Sequence, residues 1–363
     1  MKIKKIKLIN YRNYDNLELN FNDSLNIIIG NNAQGKTNIL ESIYVLAVTK
    51  SFLSNNDKEM IKFDKNFSVI SGLLESDKKT YNLQVAFSGY GKNVRINGKE
   101  IKKLSDYISI MNVIVFSTDD IRMFKEGPSS RRKYFNIEIS QIYKNYLKLL
   151  NEYNTVLRQR NEFLKIISIK KDSDIEYLNV INDKYSDLSI KVCKYRRRMI
   201  DDINKNLDNL FFSITGTQGL KLEYTSNTNI DNVSFRSSLE KSLNKDIQYK
   251  MTLLGPNRDD FYFSLNGKNL SSYGSNGQIR SAVLALKLSE VILFKSVVGE
   301  MPILLLDDIF SELDLNKRNN ILKYLDSSLQ VIVTTTDIDN IDNDIRNKAN
   351  VYRIDNGKLF PGK

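Results

Sequence analysis

The chain has no histidine, one cysteine and no long apolar run. Without histidine, no imidazole can act as metal ligand, general base or pH switch anywhere in the mechanism. With Cys193 alone there is no intrachain disulfide, and the cytosol is the expected compartment. Cys193, near Val192 and Tyr195, reads as a small packed side chain. No stretch reaches the roughly 18 apolar residues that a membrane span needs, so none is expected. The start, Met1-Lys2-Ile3-Lys4-Lys5, is basic, but no apolar segment follows it, and it does not read as a signal peptide.

What is present fits a globular chain. Its 363 residues, 41% hydrophobic and 27% charged, leave room for a sizeable core and two or three domains. The formal charge of +11 favours a polyanionic partner. On charge alone, nucleic acid and mere compositional drift stand about level.

The organising stretch is Gly30-Asn31-Asn32-Ala33-Gln34-Gly35-Lys36-Thr37, which fits G-x-x-x-x-G-K-[ST]. The apolar run 25–29 before it reads as a buried parallel strand, and Ile39, Leu40, Ile43, Tyr44, Leu46 and Ala47 after it fall at helical spacing. Gly30 and Gly35 allow a tight turn whose N–H groups face inward, toward a phosphate at a helix N-terminus. Lys36 is placed to reach the β- and γ-phosphates, and the Thr37 hydroxyl to bind Mg²⁺. A nucleoside triphosphate with Mg²⁺ is therefore the expected ligand.

Segments 2–9 and 16–21 alternate and read as antiparallel strands around Asn10-Tyr11-Arg12-Asn13-Tyr14. Arg12 is a candidate nucleotide contact there, and a plain polar hairpin is the equal alternative. Strand-like runs at 67–75, 80–87 and 92–96, with the turn Asn97-Gly98, suggest a small antiparallel lobe. Segment 112–116 is a candidate core strand, leaving through Ser117-Thr118-Asp119-Asp120. Gly127-Pro128-Ser129 opens a helix.

From Phe135 a heptad series runs to Ile167, broken only at Arg160. A polar tip, Lys170-Lys171-Asp172, and a capping box, Ser173-Asp174-Ile175-Glu176, precede a second series from Leu178 to Met199. Together they predict an antiparallel helical hairpin. Basic clusters containing Arg131, Arg132, Arg196, Arg197 and Arg198, with neighbouring tyrosines, are candidates to bind phosphates and stack bases, and solvated helix faces are the equal alternative.

Further on, 235–244 reads as helix, 250–254 and 261–265 as strands, with Gly255-Pro256-Asn257-Arg258-Asp259-Asp260 between them. Ser275, Gly277 and Gln278 precede an amphipathic helix over 279–297. Ser275 can cap it, and the loop offers a second anion site. Ile303-Leu304-Leu305-Leu306-Asp307-Asp308 is a buried strand ending in two carboxylates. By role, Asp307 holds Mg²⁺ through water and Asp308 orients the attacking water. Ser311-Glu312-Leu313-Asp314 and a helix from about Asn316 follow. Then come a core strand over 329–334, a last strand over 351–354 and the turn Asn356-Gly357.

In this order, these motifs resemble those of ABC-type ATPases. More narrowly, the chain resembles the RecF family of bacterial recombination and repair proteins over nearly its whole length. The carrying stretches are 10–14, 30–37, 115–120, Gly127-Pro128-Ser129-Ser130-Arg131-Arg132, 255–260 and 304–314. The resemblance implies an α/β, ABC-type P-loop ATPase head with a mixed sheet, an antiparallel β lobe and an inserted helical subdomain. The expected division is 1–127, 128–248 and 249–363. It also implies an ATP-locked homodimer in which Ser275, Gly277 and Gln278 act in trans on the partner's nucleotide. Single-stranded or gapped DNA, RecO and RecR are the implied partners. Slow DNA-stimulated hydrolysis, recombinase loading and SOS induction are the implied roles.

The chain departs from the family pattern in places. Asn257 stands where relatives carry histidine, so a protonation role there is lost. Asp119 and Asp120 stand where many have Glu-Asp. With no switch histidine, Thr335 or Thr336 is left to face the γ-phosphate side. Asp308 replaces the Glu of transporters, which points to slow turnover. Two other readings are a transporter's nucleotide-binding subunit and a nucleotide-gated scaffold without useful turnover.

Overall fold

The computed structural model describes residues 1–76, 79–117, 119–169, 175–228, 231–308, 328–336, 346–347, 349–355 and 357–361. Thr118, the tip and the first two residues of the capping box at 170–174, the stretch 311–314 with its helix, and Asn356 lie outside them. The chain divides into two units. The first comprises Met1–Arg122, Asn209–Thr217 and Arg280–Lys363, and the second comprises Met123–Asp208 and Gln218–Ile279.

In the first unit, β1 (Lys2–Tyr11) and β2 (Tyr14–Asn20) form a hairpin. The strand β3 (Leu25–Ile29) then runs into the P-loop, and α1 (Lys36–Val48) leaves it. β4 (Phe67–Ser76), β5 (Lys79–Ser88), β6 (Gly91–Ile96) and the short β7 (Lys99–Glu100) complete an antiparallel sheet in the order β2-β1-β4-β5-β6-β7. Alternation fixes its two faces: Leu83, Val85 and Phe87 are buried, while Gln84 and Ala86 between them are half-buried and Asn82 is exposed. β8 (Val113–Phe116) is buried throughout, as a strand covered on both faces should be.

Helices make up most of the next stretch. α2 (Asp119–Lys125) follows β8. In the second unit, α3 (Pro128–Ile142) and α4 (Tyr146–Ile169) take the place of the single helix the heptads predict. The break is at Tyr143, whose backbone is extended (φ −113°, ψ 100°). Its ring is buried against Tyr195 and under the Arg198 guanidinium, which holds the chain out of helical geometry. α5 (Ile175–Thr215) runs antiparallel to α4, with Phe163 meeting Tyr177 and Tyr153 meeting Tyr185. The predicted hairpin is therefore present.

β9 (Leu220–Thr225) has no counterpart in the sequence reading, and it pairs with β10 (Asp260–Leu265). α6 (Asn232–Tyr249) is capped by the Asp231 carboxylate, which accepts from Ser234 N at 2.7 Å. The strand expected at 250–254 is a turn instead. Lys250 closes α6 in the left-handed conformation (φ 55°), which no strand tolerates, and the Asn161 side chain takes the Thr252 N–H at 2.8 Å. β11 (Lys268–Asn269) and α7 (Leu270–Tyr273) lead to α8 (Asn276–Val298), which continues into the first unit.

The first unit is completed by β12 (Ile303–Asp307), β13 (Gln330–Thr335), β14 (Asn350–Asp355) and β15 (Lys358–Pro361). The central sheet runs β15-β14-β3-β13-β12-β8, parallel except for β15 at the edge. This is the expected mixed sheet. α1 lies between it and the antiparallel sheet, touching β4 and β5 on one side and β8, β12 and β13 on the other. That explains why α1 is buried all round, including Glu41 and Ser42. Among the described residues, no helix is long and apolar enough to cross a membrane.

Candidate functional site

The P-loop leaves the end of β3, which is the usual place for a ligand at a parallel sheet. Asn31, Asn32 and Ala33 are exposed, and Gly30 is buried. A side chain at Gly30 would meet the Ile354 carbonyl oxygen at 2.5 Å. Gly35 holds φ at 103°, and a Cβ there would meet Asn13 Nδ2 at 2.5 Å and Tyr14 Oη at 2.7 Å. Both glycines thus serve close approach, and Gly35 also serves a left-handed turn. The loop is buttressed by the β1–β2 turn. Asn13 Nδ2 donates to Gln34 O at 3.2 Å, Tyr14 Oη to Gly35 O at 3.0 Å, and Asn38 Nδ2 to Asn13 Oδ1 at 2.9 Å.

Lys36 Nζ donates to the carbonyls of Gly30 and Asn31 at 2.6 and 2.8 Å, closing the loop on itself. Burial holds its ammonium below the usual lysine value, while Asp308 and Asp307 oppose that shift. Thr37 Oγ1 donates to Asp307 Oδ1 at 3.0 Å. This hydrogen bond joins the start of α1 to the end of β12, 270 residues apart in sequence. Thr334 Oγ1 donates to the same oxygen at 2.6 Å. Burial raises the Asp307 carboxyl above the ordinary range, and the two hydroxyls pull the other way. Asp308 follows in a left-handed conformation (φ 52°), its N–H shared between Thr334 O at 3.2 Å and Thr334 Oγ1 at 3.0 Å.

Hydroxyl and carboxylate oxygens are the donor set that Mg²⁺ takes. Among the described residues there is no cluster of three or more acidic, cysteine or histidine ligands. Mg²⁺ ordinarily needs no such cage, since it binds through one or two protein oxygens plus phosphates and water. Thr37 and Asp307 fit that pattern. Thr335 is buried at the end of β13, and Thr336 is half-buried just beyond it.

Arg12 is held by Glu41 of α1, which accepts from Arg12 Nε at 2.9 Å and Nη2 at 2.5 Å. Glu41 and Thr334 are site residues that sequence reasoning missed. The available signal for Glu41 was a lone acid inside the otherwise apolar helix that follows the P-loop.

In the second unit, Ser275 and Gln278 form a reciprocal cap at the start of α8. Gln278 N donates to Ser275 Oγ at 3.2 Å and Ser275 N to Gln278 Oε1 at 2.9 Å, as expected of Ser275. Ser275 and Gly277 are exposed, and Gln278 is half-buried.

Two of the five arginines expected to meet phosphates, Arg131 and Arg196, are buried. Arg131 is buried and forked onto Asp260, at 2.7 and 2.9 Å. Arg132 Nη1 donates to Asp259 O at 2.8 Å. Arg196 is buried, pairing with Asp259 Oδ2 and with Pro256 O, both at 2.7 Å. Arg131 and Arg196 tie the 255–260 turn to its helices and do not present their charge to solvent. Asn257 belongs to the same knot, accepting from Tyr153 Oη at 3.1 Å and Tyr185 Oη at 3.0 Å. Arg197 is half-buried and donates to Thr228 O at 3.2 Å. Arg198 alone of the series is well exposed, at 62% of its side chain.

Comparison with known proteins agrees with this architecture. The model for the RecF/RecN/SMC N-terminal domain matches residues 2–358. The chain is 37% identical to the DNA replication and repair protein RecF of Bacillus subtilis (strain 168) over 368 residues, covering 99% of this chain and all of that one. It is equally similar, at 37% over 369 residues, to RecF of Staphylococcus aureus (strain JH9). A solved structure of the recombination mediator protein RecF with ATP, from the RecFOR pathway, superposes with a TM-score of 0.92 at 32% identity, covering 99% of this chain and 97% of that one. An Smc head bound to the C-terminal winged-helix domain of ScpA shares the fold alone, at TM-score 0.56 and 16% identity. With the P-loop, the β12 carboxylates and the 255–260 turn all in place, and with relatives matched from end to end, the chain belongs to the RecF family.

Proposed function

We propose that this chain binds ATP with Mg²⁺ at the P-loop and the end of β12, and that it acts in DNA replication and repair as an ATP-locked homodimer on single-stranded or gapped DNA. The observation that carries the reading is the 3.0 Å hydrogen bond from Thr37 Oγ1 to Asp307 Oδ1. It places a hydroxyl and a carboxylate side by side where a P-loop ATPase needs its metal ligands. ATP with its metal supplies the γ-phosphoryl group that is transferred to water. The chain's own residues do the rest. The P-loop N–H groups and the Lys36 ammonium bind and neutralise phosphate, and Thr37 with Asp307 orients the metal. Asp308, locked through its N–H to Thr334, positions water. An aspartate reaches less far than a glutamate, which favours slow hydrolysis.

Ser275, Gly277 and Gln278 act on the partner protomer's nucleotide in this reading. The α8 cap uses Ser275 Oγ only as an acceptor, which leaves its O–H available as a donor to phosphate. On the DNA side, Lys191, Lys194 and Arg198 form an exposed stripe on α5 at helical spacing. They replace Arg131 and Arg196 as the proposed phosphate contacts. RecO and RecR are the proposed protein partners, and the cytosol the proposed compartment.

Sedimentation of the full chain with Mg²⁺ and ATP, with and without a gapped duplex, tests the reading. A dimer that needs ATP and carries DNA with it is expected, lost in Lys36→Ala while that variant stays folded. A monomer indifferent to both ligands would overturn it.

A further inference from the structure

Glu41 lies in the second turn of the P-loop helix and is fully buried. Its carboxylate accepts from Tyr11 Oη at 2.7 Å, Arg12 Nε at 2.9 Å, Arg12 Nη2 at 2.5 Å, and the Ser51 hydroxyl. A carboxylate out of water persists only when paired and hydrogen-bonded. Among the described residues, Arg12 is the one cation bonded to it.

The pairing is a two-pronged fork, the geometry that fixes a guanidinium most firmly. It occupies Nε and Nη2 and leaves Nη1, whose ion-pair neighbour is Glu59 at 3.8 Å, too far for a hydrogen bond. The backbone of Arg12 is fixed as well. It sits at φ 51°, Arg12 N donates to Met60 O at 3.2 Å, and Lys62 N donates to Asn10 O at 2.9 Å. The two residues that follow, Asn13 and Tyr14, bond to P-loop carbonyls. Here 18% of the Arg12 side chain stays exposed, against none of Glu41.

We infer that Glu41 is a positioning residue for the nucleotide site, holding Arg12 so that its Nη1 edge meets the negative charge of a bound nucleoside triphosphate. The inference rests on the nucleotide-binding reading above. A cation fixed beforehand contributes more than a mobile one, because no ordering entropy is lost when the ligand arrives. Glu41 touches no ligand itself and acts only through Arg12.

The test is titration of a fluorescent ATP analogue with Mg²⁺ into the full chain and its variants. Arg12→Ala and Glu41→Gln should each weaken binding about tenfold, and the double variant should bind no worse than Arg12→Ala to within about twofold. Ser51→Ala removes one donor from Glu41 Oε1 and keeps both hydrogen bonds of the fork. It should lower the melting temperature and leave nucleotide affinity unchanged. Wild-type affinity in Glu41→Gln, multiplying losses in the double variant, or equal loss in Ser51→Ala would each overturn the positioning role. If Glu41→Gln does not fold, Arg12→Lys serves instead, since a lysine cannot span the fork and still present an edge. The same tenfold loss is expected, and full affinity would overturn the inference. A wild-type chain that binds no nucleotide overturns the functional reading itself, which separates the two failures.

Discussion

Burial lifts the Asp307 carboxyl above its ordinary range, so the folded chain holds that proton more tightly than the unfolded chain does. Between the unfolded value and the raised folded one, the folded state carries more protons, and stability falls as pH rises. Above the folded value the penalty is complete. Asp307→Asn removes it. The nucleotide-free variant should melt higher than wild type at pH 7.5, and the gap should close on acidification toward pH 4. The same variant should lose Mg²⁺-dependent nucleotide affinity. Calorimetric melts across pH, with and without Mg²⁺ and ATP, check both halves. The contact of Thr37 with Asp307 was legible in the sequence as a P-loop and an apolar strand ending in carboxylates. Glu41 was not, because its partners Tyr11 and Arg12 lie 30 and 29 residues away with no period linking them.

At the scale of the element, Arg160 shows what a broken heptad means. The series predicts an apolar side chain there, and the arginine is nonetheless fully buried. Its Nη1 meets Asp246 Oδ2 and Thr252 Oγ1, both at 2.7 Å, and its Nε meets Asn182 Oδ1 at 2.8 Å. α4, α5 and α6 are thereby tied at one point. Asp246→Ala leaves the guanidinium buried without its counter-charge and should cost about 3–5 kcal/mol. Arg160→Met combined with Asp246→Leu should recover most of that loss. Urea unfolding followed by circular dichroism measures both. The arginine run on α5 splits between core and solvent for a related reason. Successive helical residues are turned by about 100°, so three in a row cannot share a face. Arg196 points into the core, Arg197 is half-buried and Arg198 reaches solvent. The apolar content of 250–254 suggests a strand, while its shape is set by the side chain of Asn161, 91 residues earlier.

For the whole molecule, the net charge of +11 becomes a specific expectation about DNA. Lys194→Ala with Arg198→Ala should weaken binding to a gapped duplex and reduce the log–log salt slope by about 0.9 for each phosphate no longer neutralised. Binding isotherms between 50 and 200 mM salt read the slope. An unchanged slope would place the DNA elsewhere. Arg196→Ala should instead act on stability, since its partner Asp259 is buried. The strand order of the central sheet bears on how the chain is made. β3, which carries the P-loop, is flanked by β13 and β14, both produced about 300 residues later. The antiparallel sheet is complete within the first 100 residues and can form while the ribosome is still at work. The P-loop strand has no parallel neighbour for about 15–60 s of synthesis at about 5–20 residues per second. A chain released early therefore carries the phosphate loop in its sequence and cannot build it. Every fragment that ends before β13 lacks both strands that pair with β3.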